Sequence, residues 1–398
     1  MTLKSAGLIE QRHFESEGAF LMACVSKGLV IGGGIAGLSA AIALERVGVH
    51  CDVVEIGDKP VGAAISLTGR ATEALAELGV YEECYATSRP FTDEMSSPVM
   101  RDAAGIELGP PPPPRPAWPG AKTGIGIYRP ALAQILNQTA QNLGARIETG
   151  VSVETLQDIG DEVVVVLSNG EERRYDFVIG ADGINSRTRT MLFPDGPQPA
   201  YAGQMSIRWM IPGPAIPGEA WYVAGNFGRL GFFHMPHQNL VYTPIVVSVP
   251  ETRLSQEDAY ELVGRLLDMY TAPAVGELRK HLHADSTFIC RPFRSILLKS
   301  PWFSGRTLLI GDAAHATTAH MGMGAGMALE DAVVLAQCIA GASTLADAYE
   351  SFMVRRFERV RTVVETSVAL SKLEQTSAPG PEAKMLMGAA LATISQPY

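Results

Sequence analysis

The 398-residue chain is short of charge and of cysteine for its size, and each shortage removes a class of function. Charged residues make up 19% and apolar residues 46%, which excludes a disordered chain and allows a large buried core. The 32 Lys and Arg face 42 Asp and Glu, a formal net charge of −10. Phosphate binding needs clustered cations, so no nucleic-acid partner is expected. Cys24, Cys51, Cys84, Cys290 and Cys338 stand singly, without a CxxC pair. Such spacing suits buried thiols in a reducing compartment and offers no disulfide framework. HExxH, GxSxG and P-loop patterns are missing, so metal-dependent proteolysis, serine hydrolysis and NTP hydrolysis have no support, and no metal is expected. No clean apolar run reaches the roughly 18–20 residues of a membrane span. Lys4, Glu10, Arg12, His13, Glu15 and Glu17 precede any long apolar stretch, which argues against a secretory signal. These absences predict a cytoplasmic protein with no membrane partner and a flexible extension over residues 1–24.

What is present begins at Lys27. Gly28-Leu-Val-Ile31 is a short apolar run suited to a buried parallel strand. Gly32-Gly-Gly-Ile-Ala-Gly37 follows, then Leu38 to Arg46 as a helix with Gly48 placed to stop it, then His50–Glu55 as a second strand. The whole is a βαβ unit of about 30 residues ending on an acid. Gly32 allows a tight turn, Gly34 lets backbone approach a pyrophosphate, and Gly37 permits close helix–strand packing, with Ile35 and Ala36 between them as cofactor-binding positions. The helix N-terminus offers free N–H groups and a positive dipole to phosphates, and Glu55 is placed to accept hydrogen bonds from a ribose. The pattern predicts dinucleotide binding; a glycine-rich structural turn is the alternative.

Further along, Ala71–Leu78 reads as a helix, and Pro110–Pro114 with Arg115-Pro-Ala-Trp-Pro119 as an extended polyproline-type loop. Pro130–Leu143 is a helix with Gly144 past its end, and Asn169-Gly170 joins Val163–Leu167 to Glu172–Val178 in a hairpin. From about Tyr201 to Pro292, alternating apolar and polar positions predict a mostly antiparallel sheet, with a helix over Gln256–Tyr270. Thr307–Ile310 is a buried strand and helices follow. Arg355, Arg356, Arg359 and Arg361 in the Leu345–Leu373 helix read as a solvated face beside buried Met353, Phe357 and Val360.

Two more motifs narrow the cofactor. Phe177-Val-Ile-Gly-Ala-Asp-Gly-Ile-Asn-Ser186 and Leu308-Leu-Ile-Gly-Asp-Ala-Ala-His315 each follow a strand and carry an acid beside glycine. Alone, either fits a structural turn capped by its acid. With the first motif, and in this order from Lys27 to about Ser371, they resemble the fingerprints of the class A flavoprotein aromatic hydroxylases, the para-hydroxybenzoate and salicylate hydroxylase type.

The resemblance implies an α/β fold: a Rossmann-like FAD-binding domain of the glutathione-reductase type, an inserted, mostly antiparallel substrate domain, and C-terminal helices. It places the discontinuous FAD-binding domain at 25–198 and 296–398 and the substrate domain at 199–295, with part of 60–128 joining the pocket. It implies FAD held by the first motif, by Asp182 and Gly183, and by Gly311 and Asp312 at the ribityl. Gly322, Gly324 and Ala325 would lie where a helix N-terminus meets the isoalloxazine. Arg129 matches an arginine near the FAD phosphates, Arg70 a flavin-proximal position, and Val153 a backbone contact to adenine. NADH or NADPH would be the co-substrate, and a C4a-hydroperoxyflavin would hydroxylate a small aromatic or N-heteroaromatic ring with O2. The family's proline and glutamine in the flavin loop are replaced by Ala319, Met321 and Met323, closer to the salicylate branch.

Candidates for catalysis are Arg208, Tyr222 and His320, and the substrate pocket adds Phe233 and Met235. Arg208 suits a substrate carboxylate or phenolate, or equally a sheet surface. Tyr222 and Phe233 fit ordinary sheet core as well as a pocket wall. His320 is an acid–base candidate. The same motifs occur in flavin-dependent epoxidases and reductases, and a flavin-binding protein without turnover is a further alternative. A monomer or homodimer is expected.

Overall fold

The computed structural model describes residues 23–57, 62–91, 99–109, 118, 120–376 and 380–398. The expected extension over residues 1–24, its last two apart, and the Pro110–Pro119 run, Trp118 apart, lie outside the described residues.

Strand Lys27–Ile31 lies inside a six-stranded sheet ordered Phe303–Ser304, Thr307–Leu309, Phe177–Gly180, Lys27–Ile31, His50–Glu55, Arg146–Thr149. Every pairing is parallel except the Phe303–Ser304 edge. These strands are apolar without alternation because both faces are covered. Val30, Val53 and Ile179 bury on one side, where the helices Ile35–Arg46, Arg129–Leu143 and Gly324–Gly341 pack together. Leu29, Ile31, Val54 and Val178 bury on the other, beneath a small antiparallel sheet of Val153–Asp158, Val163–Leu167 and Glu172–Tyr175. Gly324–Gly341 is long and apolar enough to cross a membrane, yet 72% of it is buried within the fold, where it serves as the core helix.

The expected second hairpin strand stops early. Asp176 breaks the run Glu172–Val178 because its carboxylate accepts hydrogen bonds from the Ser26 and Lys27 backbone at 2.6 and 2.9 Å. The chain then turns into the parallel sheet as Phe177–Gly180.

A seven-stranded sheet forms the second layer system. Its core order is Phe288–Ser295, Ala200–Pro212, Leu240–Ser248, Gly228–Gly231, Trp221–Ala224, Met100–Arg101, with Phe233–Met235 also paired to Leu240–Ser248. All pairs are antiparallel except the Met100–Arg101 edge. Strand alternation decides which residues see which side. Met205, Ile207, Trp209 and Ile211 bury with Val241, Ile245 and Leu230 under the helices Gln256–Leu267 and Pro273–Arg279. The intervening Ser206, Arg208, Met210, Tyr242 and Pro244 are therefore presented to the opposite face. The expected Gln256–Tyr270 helix ends at Leu267, and Pro273 starts the second helix.

Candidate functional site

The glycine turn has the shape its sequence predicts. Gly32 has φ of +110°, and a Cβ there would meet the Ala181 carbonyl. A Cβ on Gly37 would be driven into the Gly32 carbonyl oxygen, so only glycine lets the helix start this close to the strand. At Gly34, by contrast, nothing lies within 4 Å of that position, and Gly34 is exposed. Ile35 and Ala36 form the first turn of the helix beside it. Glu55 accepts hydrogen bonds from Gly33 N at 2.6 Å and Gly57 N at 2.7 Å, so it ties the turn to the strand end. Val153 is 4% exposed and starts the strand behind Glu55, sharing an apolar cluster with Val54 and Val151.

Asp182 works locally as a cap. It accepts from Ser186 Oγ at 2.5 Å and from Thr188 N and Oγ1 at 3.0 Å each, which fixes Gly183 and the short helix Arg187–Leu192. From that helix the buried Arg189 donates to the Ala313 carbonyl at 3.0 Å and the Ile184 carbonyl at 2.9 Å. One guanidinium thus joins the second motif to the third.

The third motif is held from behind by buried charge. Asp331 accepts from Gly311 N at 3.0 Å, pairs with His315 Nε2 at 2.6 Å, and accepts from Arg356 Nε at 2.8 Å. Arg356 also reaches Glu330 at 2.7 Å, and Glu330 accepts from Arg359 Nε at 2.6 Å. Burial raises the Asp331 pKa, but the charges of His315 and Arg356 and their hydrogen bonds overcome it and bring the carboxyl down to about 2. The expected solvated face of arginines is thereby corrected for two of its four members: Arg356 is 0% and Arg359 7% exposed, whereas Arg355 is half-buried and Arg361 exposed. A helix-periodic pattern reports which positions are polar, and cannot report that two of them meet carboxylates on a neighbouring core helix.

Asp312 points away from this network. Its surface is accessible, yet protein surrounds it, and the lost hydration pushes its carboxyl pKa up against the lowering pull of His315 and Arg129. Arg129 opens the helix Arg129–Leu143, and its backbone N–H donates to the Ala63 carbonyl at 3.0 Å. Burial lowers the Arg129 pKa, as does the nearby charge of Arg208, while Asp312 and Tyr242 raise it. Gly322 is exposed at φ of +65°, and Gly324 and Ala325 begin the long core helix, whose N-cap residue gives no side-chain cap among the described residues. An open glycine turn, an enclosed carboxylate with accessible surface and a helix N-terminus fit an elongated dinucleotide such as FAD. Among the described residues, no group of three or more His, Cys, Asp or Glu is placed to hold a metal.

Across the cleft, Arg208 lies near Arg129 and stands opposite Pro244, two positions from Tyr242 on the same face; burial raises the Tyr242 pKa and both arginines lower it. Phe233 stands opposite Tyr242 in the sheet register, with Trp221 5.8 Å from its ring. His320 has 3% of its side chain exposed. Its Nδ1 is 3.0 Å from Thr318 Oγ1, and its Nε2 is 3.5 Å from Glu374. Burial lowers its pKa more than Glu374 raises it, so the ring is neutral at pH 7.

Two candidates are placed elsewhere. Tyr222 is 1% exposed, donates to the Gly218 carbonyl at 2.7 Å and stacks on Phe232, so it belongs to the helix-covered core and not to the cleft. Strand parity is the reason: Tyr222 has the opposite phase from Trp221, which faces the cleft. Arg70 is drawn to the chain end, donating to the Ser395 carbonyl at 2.8 Å and to Glu73 at 2.5 Å under the Trp118 ring. Met235 is 3% exposed, two positions beyond Phe233 on its strand. Sequence reasoning passed over Tyr242, Arg229 and Glu374. The alternation around Val241 and Thr243 marks Tyr242 as cleft-facing, whereas Glu374 carries no local signal.

A parallel sheet with a dinucleotide turn, joined to an antiparallel sheet whose free face closes over it, defines a two-sheet flavoprotein. The chain matches the FAD binding domain family over residues 26–367 and belongs to it. It is 29% identical over 364 residues to the aurachin C monooxygenase/isomerase of Stigmatella aurantiaca, covering 87% of this chain and 89% of that one. Identity to the FAD-dependent urate hydroxylase of Klebsiella oxytoca is 29% over 354 residues, covering 85% and 88%. A salicylate hydroxylase solved with its substrate shares the fold, with a TM-score of 0.73 at 22% identity over 94% of this chain and 99% of that one. These relatives are FAD-dependent monooxygenases and hydroxylases, and the expected α/β flavoprotein fold is the one observed.

Proposed function

We propose that this FAD-family monooxygenase uses NADH or NADPH and O2 to hydroxylate a small aromatic or N-heteroaromatic ring held between Arg208 and His320. The observation that carries the reading is the free face of the antiparallel sheet. It sets Arg208 and Tyr242 opposite Arg129 and Asp312, above an aromatic floor of Phe233 and Trp221. The relatives named for urate, aurachin and salicylate support a ring substrate.

FAD would be held by Gly32, Gly34, Ile35, Ala36, Gly37 and Glu55, by Val153 at the adenine, and by Arg129 at the phosphates. Gly311 and Asp312 would take the ribityl, and Gly322, Gly324 and Ala325 the ring system. Asp182 and Gly183 shape the loop between them. When bound, FAD would supply the two-electron redox chemistry between a reduced nicotinamide and O2. In the net reaction a ring C–H becomes C–OH, and the second oxygen leaves as water with the two electrons and two protons. The protein's part is positional. Arg208 and the Tyr242 hydroxyl orient an acidic substituent and stabilise the phenolate form of the ring, which is the more nucleophilic one. Phe233, Met235, Met321 and Met323 keep the cleft dry, which protects a reactive oxygen species from water. Neutral His320 is an acceptor or donor of one proton at the far end of the cleft. A monomer or homodimer in the cytoplasm completes the proposal.

The test is NAD(P)H oxidation by the yellow holoprotein across phenolic, pyridine and purine acids, with product mass recorded. Ring-dependent acceleration with a gain of one oxygen supports the reading. Acceleration that yields only peroxide, whatever the ring, would sink it.

A further inference from the structure

The cleft carries two arginines on the free sheet face, and the structure treats them differently. Arg208 shares its face of the sheet with Tyr242, two positions along the neighbouring strand, and among the described residues pairs with no carboxylate. Arg229 is neutralised from within the chain. Its Nε lies 3.1 Å from Glu374 Oε2, and its guanidinium sits 4.6 Å from the Trp221 ring. Glu374 comes from the end of the long helix Leu345–Thr376, outside the substrate sheet. On its other sides it faces His320 Nε2 at 3.5 Å and accepts from the buried Gln204 Nε2 at 3.4 Å. Gln204 in turn accepts from Ser371 Oγ at 2.6 Å. Burial would raise the Glu374 pKa, but Arg229 and His320 hold it below the usual carboxylate range, so it is ionised. The Arg229 end of the cleft is therefore electrically neutral: one cation, one anion and an uncharged imidazole.

The sheet register places the two ends on one surface. Arg229 lies opposite Val246, Arg208 opposite Pro244, and Tyr242 opposite Phe233. The floor between them is the Trp221–Phe233 pair. A ring bound there meets one unpaired positive charge, at Arg208, and a preformed neutral pair at the other end.

We infer that Glu374 sets the charge the cleft accepts: by occupying Arg229 it selects ring substrates with a single acidic group, bound at Arg208 and Tyr242, over dianionic and neutral rings. This rests on the hydroxylase reading. A second substrate anion would face the Glu374 carboxylate at short range, where like charges repel strongly in an enclosed site. A neutral ring would forgo the charge-assisted hydrogen bonds at Arg208.

The test uses the FAD holoprotein and matched triplets of acid, amide and diacid: salicylate, salicylamide and 3-hydroxyphthalate, then nicotinate, nicotinamide and pyridine-2,3-dicarboxylate. Binding is read from the perturbation of flavin absorbance, and turnover from NAD(P)H oxidation. In wild type the monoacid of at least one triplet binds about tenfold or more tighter than its amide and its diacid, the scale of one charge-assisted contact. Glu374→Gln tightens the diacid about tenfold and leaves the monoacid within about threefold, and Arg208→Gln loses the monoacid preference. Should Glu374→Gln fold poorly, the double variant Arg229→Gln, Glu374→Gln restores a neutral end and keeps the wild-type order. Equal binding of diacid and monoacid by wild type, or equal weakening of all ligands in Glu374→Gln, overturns the inference. Oxygenation of amides with no response to acids leaves the hydroxylase intact and removes the charge selection; no ring-dependent turnover removes both.

Discussion

The two faces of the cleft are built by different means. The side proposed for FAD offers backbone: a glycine turn, helix N-termini and short acid caps, all supported by a buried ion network. The side proposed for the substrate offers side chains projected from alternate positions of long strands. Backbone recognition demands glycine where a Cβ cannot fit, and so leaves a written motif. Side-chain recognition demands only parity and neighbours, and many residue types satisfy those. The contrast predicts that changes on the FAD side will be severe and structural, whereas changes on the substrate side will be graded.

The largest effect should come from Gly37→Val. Its Cβ would strike the Gly32 carbonyl at the point where helix and strand approach most closely. The expected outcome is protein that purifies without yellow colour, read as the flavin-to-protein absorbance ratio. A fully yellow Gly37→Val would break the comparison at its firmest point.

Next is Arg356→Met, which leaves Glu330 and Asp331 buried with fewer cations. Breaking a buried pair by removing one partner costs about 3–5 kcal/mol. Urea denaturation of the holoprotein should show a loss of that order, and flavin retention should fall with it because Asp331 holds Gly311 N. Loss of stability with unchanged FAD affinity would separate the network from the cofactor loop.

The same network gives a pH signature. Asp331 is held at about 2 in the folded protein, against 3.8 for the free group. A depressed carboxyl contributes stability above its unfolded pKa and loses it as pH falls through the folded one. The contribution, about 2 kcal/mol, should therefore be complete above pH 4 and vanish between about pH 4 and 2. Asp331→Asn should be less stable at pH 7 and show a shallower acid limb across that window. An acid limb identical in slope to wild type would mean that other carboxylates carry it.

The same division explains what could be read before the structure. The βαβ unit, the three motifs and the change to an antiparallel sheet were legible because each rests on local periodicity or on glycine sterics. Arg356 and Arg359 were misread as solvated because their partners, Glu330 and Asp331, lie on another helix. Tyr222 was misread for a smaller reason. The strand was foreseen but its phase was not, and a one-residue difference in phase sends a side chain to the opposite face.

That phase error gives the mildest and most discriminating prediction. Tyr222→Phe removes a hydroxyl that donates to the Gly218 carbonyl at 2.7 Å in the helix-covered core. It should cost about 1 kcal/mol of stability, the net worth of one buried hydrogen bond. KM and kcat should stay at wild-type values, because no part of Tyr222 reaches the cleft. Tyr242→Phe makes the converse change: the ring remains, but the hydroxyl that shares the cleft face with Arg208 is gone. Its KM should rise about tenfold, on the scale of a lost charge-assisted contact, with little effect on unfolding. The two tyrosines sit in neighbouring regions of one sheet and differ only in which way they point. If Tyr222→Phe changed KM while Tyr242→Phe did not, the substrate would lie on the helix-covered face and the assignment of the cleft would be inverted.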